Sequence, residues 1–202
     1  MAAPTTKIEI MSNASVVLGQ EPFTTIDDKN KFAVSAQKMY DMIVDSELSK
    51  THWKFCKQQK QLSLVAGFNP DFAEFSSAYD LPADFLSMVR IYPMVHYQIF
   101  ERRILTSTKS TLKIEYNANV PVSYWWAPFK EYIVYALANA MAPGVTENQN
   151  LVKLIQEERQ RTLSTAMFVD AQNAPNRSIQ HNPWIEVRGR GRSGWGGGGY
   201  GY

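Results

Sequence analysis

Residues 128–141, PFKEYIVYALANAM, decide the fold predicted for this chain. Apolar side chains recur there at helical spacings of three and four residues and form a wide apolar face. They are Phe129, Tyr132, Ile133, Ala136, Leu137, Ala140 and Met141. The dipeptide Pro143-Gly144 is predicted to end this helix. We expect it to be the central helix, against which the other elements pack.

Two further helices are predicted before this one. Apolar residues recur at helical spacing through 28–55, and aspartates at 27–28 suit the start of that helix because carboxylates accept hydrogen bonds from its first amides. Residues 13–18 form a short apolar run that Gly19 and Pro22 end, which predicts a brief helix closed by a glycine cap. The N-terminal part is therefore interpreted as a helical hairpin.

A last helix is predicted to run to about Gln172. Residues 146–149, TENQ, have the form of the capping box that begins a helix. The predicted buried stripe consists of Leu151, Leu154, Ile155, Leu163, Ala166 and Met167. The charged block 157–161, EERQR, interrupts this stripe. We interpret the block as a solvent-exposed face rather than as a specific charge-paired contact.

Between the two helical halves, about 57–122, the pattern predicts strands. Apolar and polar residues alternate through 98–107 and 111–120, and the residues TKS between these runs suit a short turn. We expect the two runs to form a β-hairpin. Residues 79–84, YDLPAD, interrupt the region because proline disfavours helix and lacks a backbone donor.

The predicted fold class is mainly α: a helical bundle, a β-rich insertion that carries the hairpin, and an extended C-terminal arm. One domain spans 1–175 and includes the insertion at about 57–122, because neither helical half alone can bury its apolar stripe. The arm, 176–202, holds eight of the eleven glycines and four arginines against one glutamate. Since the whole chain has a net charge of +2, the rest of it is slightly acidic.

Composition excludes several classes of protein. The single cysteine, Cys56, excludes an intrachain disulfide and a cysteine-rich zinc site. No run approaches the roughly 18 consecutive apolar residues of a membrane helix. Residues 1–11 lack the apolar core of a signal peptide. We therefore expect neither a membrane span nor standard secretion.

Sequence signals for catalysis are weak, and we expect no enzyme, no metal site and no cofactor. The three histidines lie in different segments, and no phosphate-binding or nucleophile motif occurs in residues 1–175. Cys56 is interpreted as a buried inert thiol rather than as a nucleophile. Asp80 and Asp84 lie on either side of Pro82, so they need not share a face.

An aromatic cluster lies at the junction between the predicted strands and the central helix. Its members are Tyr124, Trp125, Trp126, Phe129 and Tyr132. Aromatic side chains bury more apolar area per residue than any others. We therefore interpret the cluster as core or subunit interface rather than as a ligand site.

The arm carries the candidate binding residues, where arginines alternate with glycines and aromatic residues follow. They are Arg188, Arg190, Arg192, Trp195, Tyr200 and Tyr202. Such groups suit nucleic acid, since guanidinium groups contact phosphates and rings stack on bases. They also suit an extended peptide that docks on another protein. We favour protein docking because three clustered arginines make a small positive surface.

Several short motifs occur in a distinctive order. They are SNASVVLGQEP at 12–22 before the long helix, WKFC at 53–56 leading to Leu62, YDLPAD at 79–84 with Arg90 downstream, ALA at 136–138, and the last helix at 147–172. In this order they resemble the tail tubular protein A family of tailed phages, over about residues 10–175. The sequence departs from that family at Cys56, where alanine is more common, and in the arm, which does not align with it.

The resemblance implies a head-to-tail adaptor, a structural protein of the virion at the head-to-tail junction, with no catalysis. It implies a homo-oligomeric ring, usually of twelve copies, that binds the portal protein on one side and the nozzle or another distal tail protein on the other. Genomic DNA passes through the channel of such a ring. C-terminal arms in this family reach toward the portal. The alternative function is a nucleic-acid-binding protein that grips RNA or DNA with its arm.

Overall fold

The computed structural model describes residues 6–26, 31–68 and 74–173, in which four helices and six strands follow one another. The helices are α1 (Lys7–Val17), α2 (Lys31–Lys50), α3 (Ala127–Val145) and α4 (Gln149–Gln172). The strands are β1 (Lys57–Gln61), β2 (Ser77–Asp80), β3 (Phe85–Tyr92), β4 (Tyr97–Phe100), β5 (Arg103–Thr106) and β6 (Lys113–Ala118). The division of the chain at residue 175 stays a prediction.

The predicted class, mainly α, is wrong. About half of the described residues are helical and about a fifth lie in strands, which form two three-stranded antiparallel sheets. Sheet A has the strand order β1-β6-β3, and sheet B has the order β2-β5-β4. Helix residues such as Leu48 and sheet residues such as Ile114 belong to the same buried cluster. The strands therefore complete the core instead of being an addition to a closed bundle, and the fold is mixed.

The predicted hairpin between 98–107 and 111–120 is also wrong. β4 pairs with β5 across the turn Glu101-Arg102, whereas β6 pairs with β1 and β3 in the other sheet. Both turn residues have positive φ, 46° and 60°, as a two-residue hairpin turn requires. The alternation along these residues is that of real strands. Alternation identifies a strand, however, and does not identify its partner.

α1 begins before residue 13, where the sequence predicts its start. Thr6 caps it, because Thr6 Oγ1 accepts from the Glu9 amide while a Glu9 carboxylate oxygen accepts from the Thr6 amide. The predicted glycine cap is confirmed. Gly19 has φ +73°, and its amide donates to the Val16 carbonyl oxygen over 2.9 Å.

α2 ends at Lys50, five residues earlier than the predicted end at 55. Asn117 of β6 is fully buried, and its Nδ2 donates to the carbonyl oxygens of Leu48 at 3.3 Å and Thr51 at 3.0 Å. These carbonyls have no partner inside the helix. A side chain of sheet A therefore caps α2. The predicted N-terminal caps at 27–28 lie outside the described residues.

α3 is central, as predicted, because α1, α2 and α4 all pack against it. It does not end at Met141 but continues through Pro143 to Val145. Proline has a helical φ, so Pro143 removes one amide donor from the last turn without ending the helix. The prediction that Pro143-Gly144 ends the helix is wrong by one turn.

α4 ends at Gln172, as predicted, but it begins with a different cap. The Asn148 side chain accepts hydrogen bonds from the amides of residues 150 and 151, so Asn148 is the N-cap and Thr146 is not. Ile155 of the predicted buried stripe is buried, whereas Leu154 is 55% exposed. The predicted stripe is thus only partly correct.

The aromatic cluster lies mainly in the core, as interpreted from the sequence. The Phe129 ring lies 4.8 Å from the rings of both Trp53 and Phe55, measured between centroids. The buried members of the cluster are Trp125, Phe129 and Tyr132. Tyr124 is 66% exposed. Because Trp53 and Phe55 precede β1, the Phe129 ring joins the entry of sheet A to the central helix.

We expect Phe129→Ala to lower the free energy of unfolding by about 3–5 kcal/mol, because it leaves a cavity among the four rings that pack around Phe129. Phe129→Leu should cost less, since it keeps more of the volume. Tyr124→Ala, a change in the same cluster, should stay within about 0.5 kcal/mol of the wild type. Urea unfolding measures all three. Equal losses for Phe129→Ala and Tyr124→Ala would contradict the assignment of Phe129 to the core.

Candidate functional site

The binding residues predicted in the arm lie outside the described residues. They are Arg188, Arg190, Arg192, Trp195, Tyr200 and Tyr202. Both interpretations of the arm, protein docking and nucleic-acid binding, therefore stay predictions. The described residues provide a buried charge cluster and several exposed surfaces, from which a function can be argued.

Three helices meet at the carboxylate of Glu47 on α2, whose side chain is only 7% exposed. Oε1 accepts from Nη2 of Arg159 on α4 at 3.0 Å and from Nζ of Lys50 at 2.8 Å. Oε2 accepts from the Tyr132 hydroxyl on α3 at 2.7 Å. The Trp53 indole Nε1 donates to the backbone carbonyl of Glu47 at 3.0 Å. We call these five residues the Glu47 cluster.

The charges of the Glu47 cluster depend on one another. Burial alone would raise the pKa of Glu47, but hydrogen bonds from Lys50 and Tyr132 and the charges of Lys50 and Arg159 outweigh it, so this pKa is lowered. Burial, followed by the hydrogen bond to Glu47, raises the pKa of Tyr132 to about 12. Nε of Arg159 is buried without a hydrogen-bond partner. The Arg159 side chain is 31% exposed, and Glu47 is its ion-pair partner.

The interpretation of block 157–161 as a solvent-exposed face is wrong for Arg159. It holds for Arg161, whose side chain is 69% exposed and pairs locally with Glu158 at 2.6 Å. A sequence signal for Arg159 exists. It lies four residues after the buried Ile155, on the same side of the helix, so its aliphatic part continues the buried stripe. The identity of its partner on α2 has no such signal.

A second contact fixes the C-terminal end of α4. Asp170 is 6% exposed, and its Oδ1 accepts from the Lys54 amide at 2.9 Å. Nζ of Lys54 donates to the carbonyl oxygens of Asp170 at 2.7 Å and Ala171 at 2.9 Å, where a positive charge stabilises a helix C-terminus. α4 is thus held near its middle by Arg159 and at its end by Lys54.

The residues considered for chemistry lie apart. Asp80 pairs with Arg103 at 3.0 Å, whereas Asp84 accepts from the Tyr116 hydroxyl at 3.1 Å. His96 stacks on Phe75. In the described part of the chain, no three His, Cys, Asp or Glu side chains are grouped so that they could hold a metal ion. Within those same ranges, none of the helices combines the length and the apolar character needed to cross a membrane.

Cys56 is fully buried, which confirms the interpretation of its thiol as buried. Its Sγ donates to the Trp53 carbonyl oxygen at 3.3 Å. Burial, followed by the negative charge of Asp170, raises the pKa of Cys56 to about 12. The thiol is therefore protonated at neutral pH and is a poor nucleophile.

Two exposed apolar surfaces lie on the helices that pack against α3, one beside α1 and the other on α4. The first is a groove of about 470 Å³ between α1 and α3, whose lining is mostly apolar but includes Asn13, Lys130 and Glu131. Its apolar lining residues are Ile10, Val16, Val17, Ala127, Val134 and Tyr135. We call it the α1–α3 groove. The second, the α4 face, consists of Leu154 and Phe168, which are 55% and 64% exposed. They lie fourteen positions apart, close to four helical turns, and so on one side of α4.

The outer face of sheet A is basic. The register places Gln61, Lys113 and Tyr92 in one cross-strand row and Gln59, Glu115 and Arg90 in the next. Glu115 is partly neutralised by Lys57, whose Nζ lies 3.9 Å from its carboxylate. Arg90 donates to the Tyr92 hydroxyl at 2.7 Å. Lys113 and Arg90 thus remain as excess positive charge on this face.

The chain was compared with protein families and with curated proteins. Its sequence matches no family model, and no curated protein matches it. Its function is thus inferred from its own motifs, contacts and surfaces.

We expect Glu47→Ala to lower the free energy of unfolding by about 1–3 kcal/mol, because the buried Tyr132 hydroxyl loses its acceptor and the partly exposed Arg159 loses its ion-pair partner. The double variant Glu47→Leu with Arg159→Met removes both charges and should recover only part of that loss, because the buried Tyr132 hydroxyl still lacks its acceptor. Asp80→Ala, which breaks the exposed pair with Arg103, should cost about 1 kcal/mol or less. Guanidinium unfolding at pH 7 compares the three. Equal losses for Glu47→Ala and Asp80→Ala would contradict the role of Glu47.

The lowered pKa of Glu47 also predicts a pH dependence. Its contribution to stability is fully present above the unfolded value of about 4.5 and is lost as the pH falls from there through the folded value. The double variant, which has no carboxyl group at residue 47, should lose less stability over that interval. Urea unfolding at several pH values between about 6 and 3 measures the difference. Parallel curves would contradict the prediction.

Proposed function

We propose that this chain is the subunit of a ring-shaped head-to-tail adaptor in the virion of a tailed phage. The ring, of twelve copies as the resemblance implies, joins the portal protein to a distal tail protein, and genomic DNA passes through its channel. The chain acts as a structural component, without catalysis. The motif order over about residues 10–175 motivates this proposal.

One structural observation supports the proposal: the chain exposes two unlike apolar surfaces. A ring closes when each copy binds the next through two different complementary surfaces and the same rotation repeats. The α1–α3 groove is concave, and the α4 face carries the projecting Phe168 ring. The groove has the shape of a surface that receives a side chain, and the Phe168 ring is a side chain that could be received.

The two surfaces also keep a fixed relation to each other. The Glu47 cluster connects α4 to α2 and α3 through charged hydrogen bonds. Lys54 holds the end of α4 beside the start of sheet A. α1 packs against α3, which belongs to the Glu47 cluster through Tyr132. If the angle between the two surfaces is fixed, every copy in the ring is rotated by the same angle relative to its neighbour.

We expect the purified protein to be a small species alone and to form a large ring particle with the portal protein encoded in the same genome. Phe168→Glu and Val16→Glu should abolish that particle, since each buries a charge in one apolar surface. Met42→Glu is the matched control, because Met42 is 64% exposed on α2 and belongs to neither surface. Size-exclusion chromatography with light scattering, followed by negative-stain images, measures the outcome. No particle with the wild-type chain, or equal behaviour of all three variants, would sink the proposal.

The basic face of sheet A favours a second candidate function, nucleic-acid binding. Lys113 and Arg90 provide phosphate contacts, and Tyr92 is a ring that is 45% exposed. Deleting residues 187–202 together with Arg90→Gln and Lys113→Gln removes the arm and the basic face and separates the two functions. An adaptor loses portal attachment with little change in DNA affinity, whereas a nucleic-acid-binding protein loses a strongly salt-dependent affinity.

A further inference from the structure

The two sheets have four edge strands, and three of them carry features that oppose pairing with another strand. β1, with the sequence KQQKQ, carries two lysines. Residues 64 and 65 cover the outer side of β2, where the Val65 amide donates to the Ala78 carbonyl oxygen at 2.8 Å. β3 has two irregularities in its register with β6 and packs against α2. Lysines, a covering segment and bulges are common protections of sheet edges.

β4 is the fourth edge, and among the described residues it carries none of these features. Its sequence, YQIF, contains no charge and no proline, and its register with β5 is regular. Its last three residues are exposed, with Ile99 at 42% and Phe100 at 55%. An edge with these properties is a template for a further strand.

The backbone of β4 offers hydrogen-bonding groups on its free side. Phe100 and Arg103 flank the two-residue turn and face each other in the register, so they exchange backbone hydrogen bonds. In an antiparallel pair, such residues alternate with residues whose amide and carbonyl are directed to the opposite side. Tyr97 and Ile99 therefore direct these groups away from β5, toward the free edge of sheet B.

The turn after β4 is anchored to the loop before β3. Nη2 of Arg102 donates to the carbonyl oxygens of Pro82 and Ala83, each at 3.0 Å. The hairpin of β4 and β5 is thus held in place at its tip. An edge that is already ordered loses less entropy when another strand pairs with it.

We propose that β4 pairs antiparallel with β4 of a second copy of this chain about a two-fold axis, in a dimer of the free protein. The two copies of sheet B then form one continuous sheet. Gln98 lies at the axis, and Tyr97 of each copy lies opposite Ile99 of the other, so the outward backbone groups of both strands pair. This inference concerns the chain before assembly and does not depend on the proposed ring.

Charge favours a second copy as the occupant of this edge. β4 is neutral, so two identical strands meet without like charges facing each other, whereas two copies of β1 would bring lysines together. The nearest charged residues in sequence, Glu101 and Arg102, lie in the turn beyond the paired strand. Arg103 on β5 is already paired with Asp80 at 3.0 Å.

The side chains on both faces of the edge suit the same register. Ile99 lies in one cross-strand row with the buried Ile104 and Tyr79, and Tyr97 packs against the core, so the two residues of the second copy extend an apolar face. On the other face, Phe100 lies opposite His96 of the second copy.

The His96 ring already stacks on Phe75, with 5.7 Å between the ring centroids, so the Phe100 ring of the second copy meets an aromatic surface. The ladder is short, with four residues from each copy. We therefore expect a weak, concentration-dependent dimer rather than an obligate one.

Sedimentation velocity of the full-length chain tests the dimer over protein concentrations from about 1 to 300 μM. We expect a shift from one-chain to two-chain mass, and Ile99→Lys should weaken dimerisation at least about tenfold, because lysine on an edge opposes pairing. Leu64→Lys is the matched control, since Leu64 is 48% exposed on the opposite side of sheet B. It should dimerise like the wild type. Circular dichroism checks that both variants fold.

A one-chain mass at every concentration, or equal dimerisation of the wild type and Ile99→Lys, would overturn the proposal. If the free chain stays monomeric while Ile99→Lys prevents formation of the portal-bound particle, the edge receives a strand of another protein and the dimer is wrong. The ring proposal is tested separately by Phe168→Glu and Val16→Glu, neither of which lies in sheet B.

Disulfide formation gives a second, independent readout of the register. Gln98→Cys places a thiol of each copy at the two-fold axis, whereas Phe100→Cys places the two thiols four positions apart in register. Under mild oxidation Gln98→Cys should form a two-chain disulfide at least about tenfold faster than Phe100→Cys. The native Cys56 is fully buried and stays out of the reaction. Equal rates for the two variants would contradict pairing centred on Gln98.

Discussion

The carboxylate of Glu47 is the contact on which the arrangement of the helices depends. It accepts hydrogen bonds from α3 and α4 while it lies on α2, so one ionised group determines how three helices approach each other. A buried charge costs several kcal/mol unless each of its hydrogen bonds is made, on the order of what a whole domain can lose. The geometry around Glu47 is therefore narrowly defined. Because Arg159 on α4 donates to Glu47, a shift of α4 would cost this carboxylate one of its hydrogen bonds.

The sheets are joined to this helical frame by two buried side chains of different chemistry. Phe129 contacts the rings of Trp53 and Phe55 just before β1, which is an apolar contact with little directional demand. Asn117 caps the end of α2 from within β6, which is a directional contact. The first supplies burial, and the second determines orientation. Together they explain why the strand-rich insertion is part of the core.

Among the apolar groups that remain exposed on this frame are those of the α1–α3 groove and the α4 face. Isolated exposed apolar residues are common on protein surfaces, whereas grouped ones often mark contacts with other chains. The proposed adaptor function uses both surfaces between copies. Each place lies on a different element, so the contacts do not compete.

The sequence by itself determined the elements and their chemistry. Helical spacing located α3 and the end of α4, Gly19 determined the cap of α1, and the aromatic residues around Phe129 were recognisable as core. These are local properties, set by period and by backbone preference. The tertiary structure decided the fold class, the partner of each strand and the members of the Glu47 cluster. Glu47 and Arg159 lie 112 residues apart in the sequence, and β6 pairs with strands that are not its neighbours along the chain. Such long-range partners are set by which polar groups need a hydrogen-bond partner once they are buried. This requirement leaves no pattern in the local sequence.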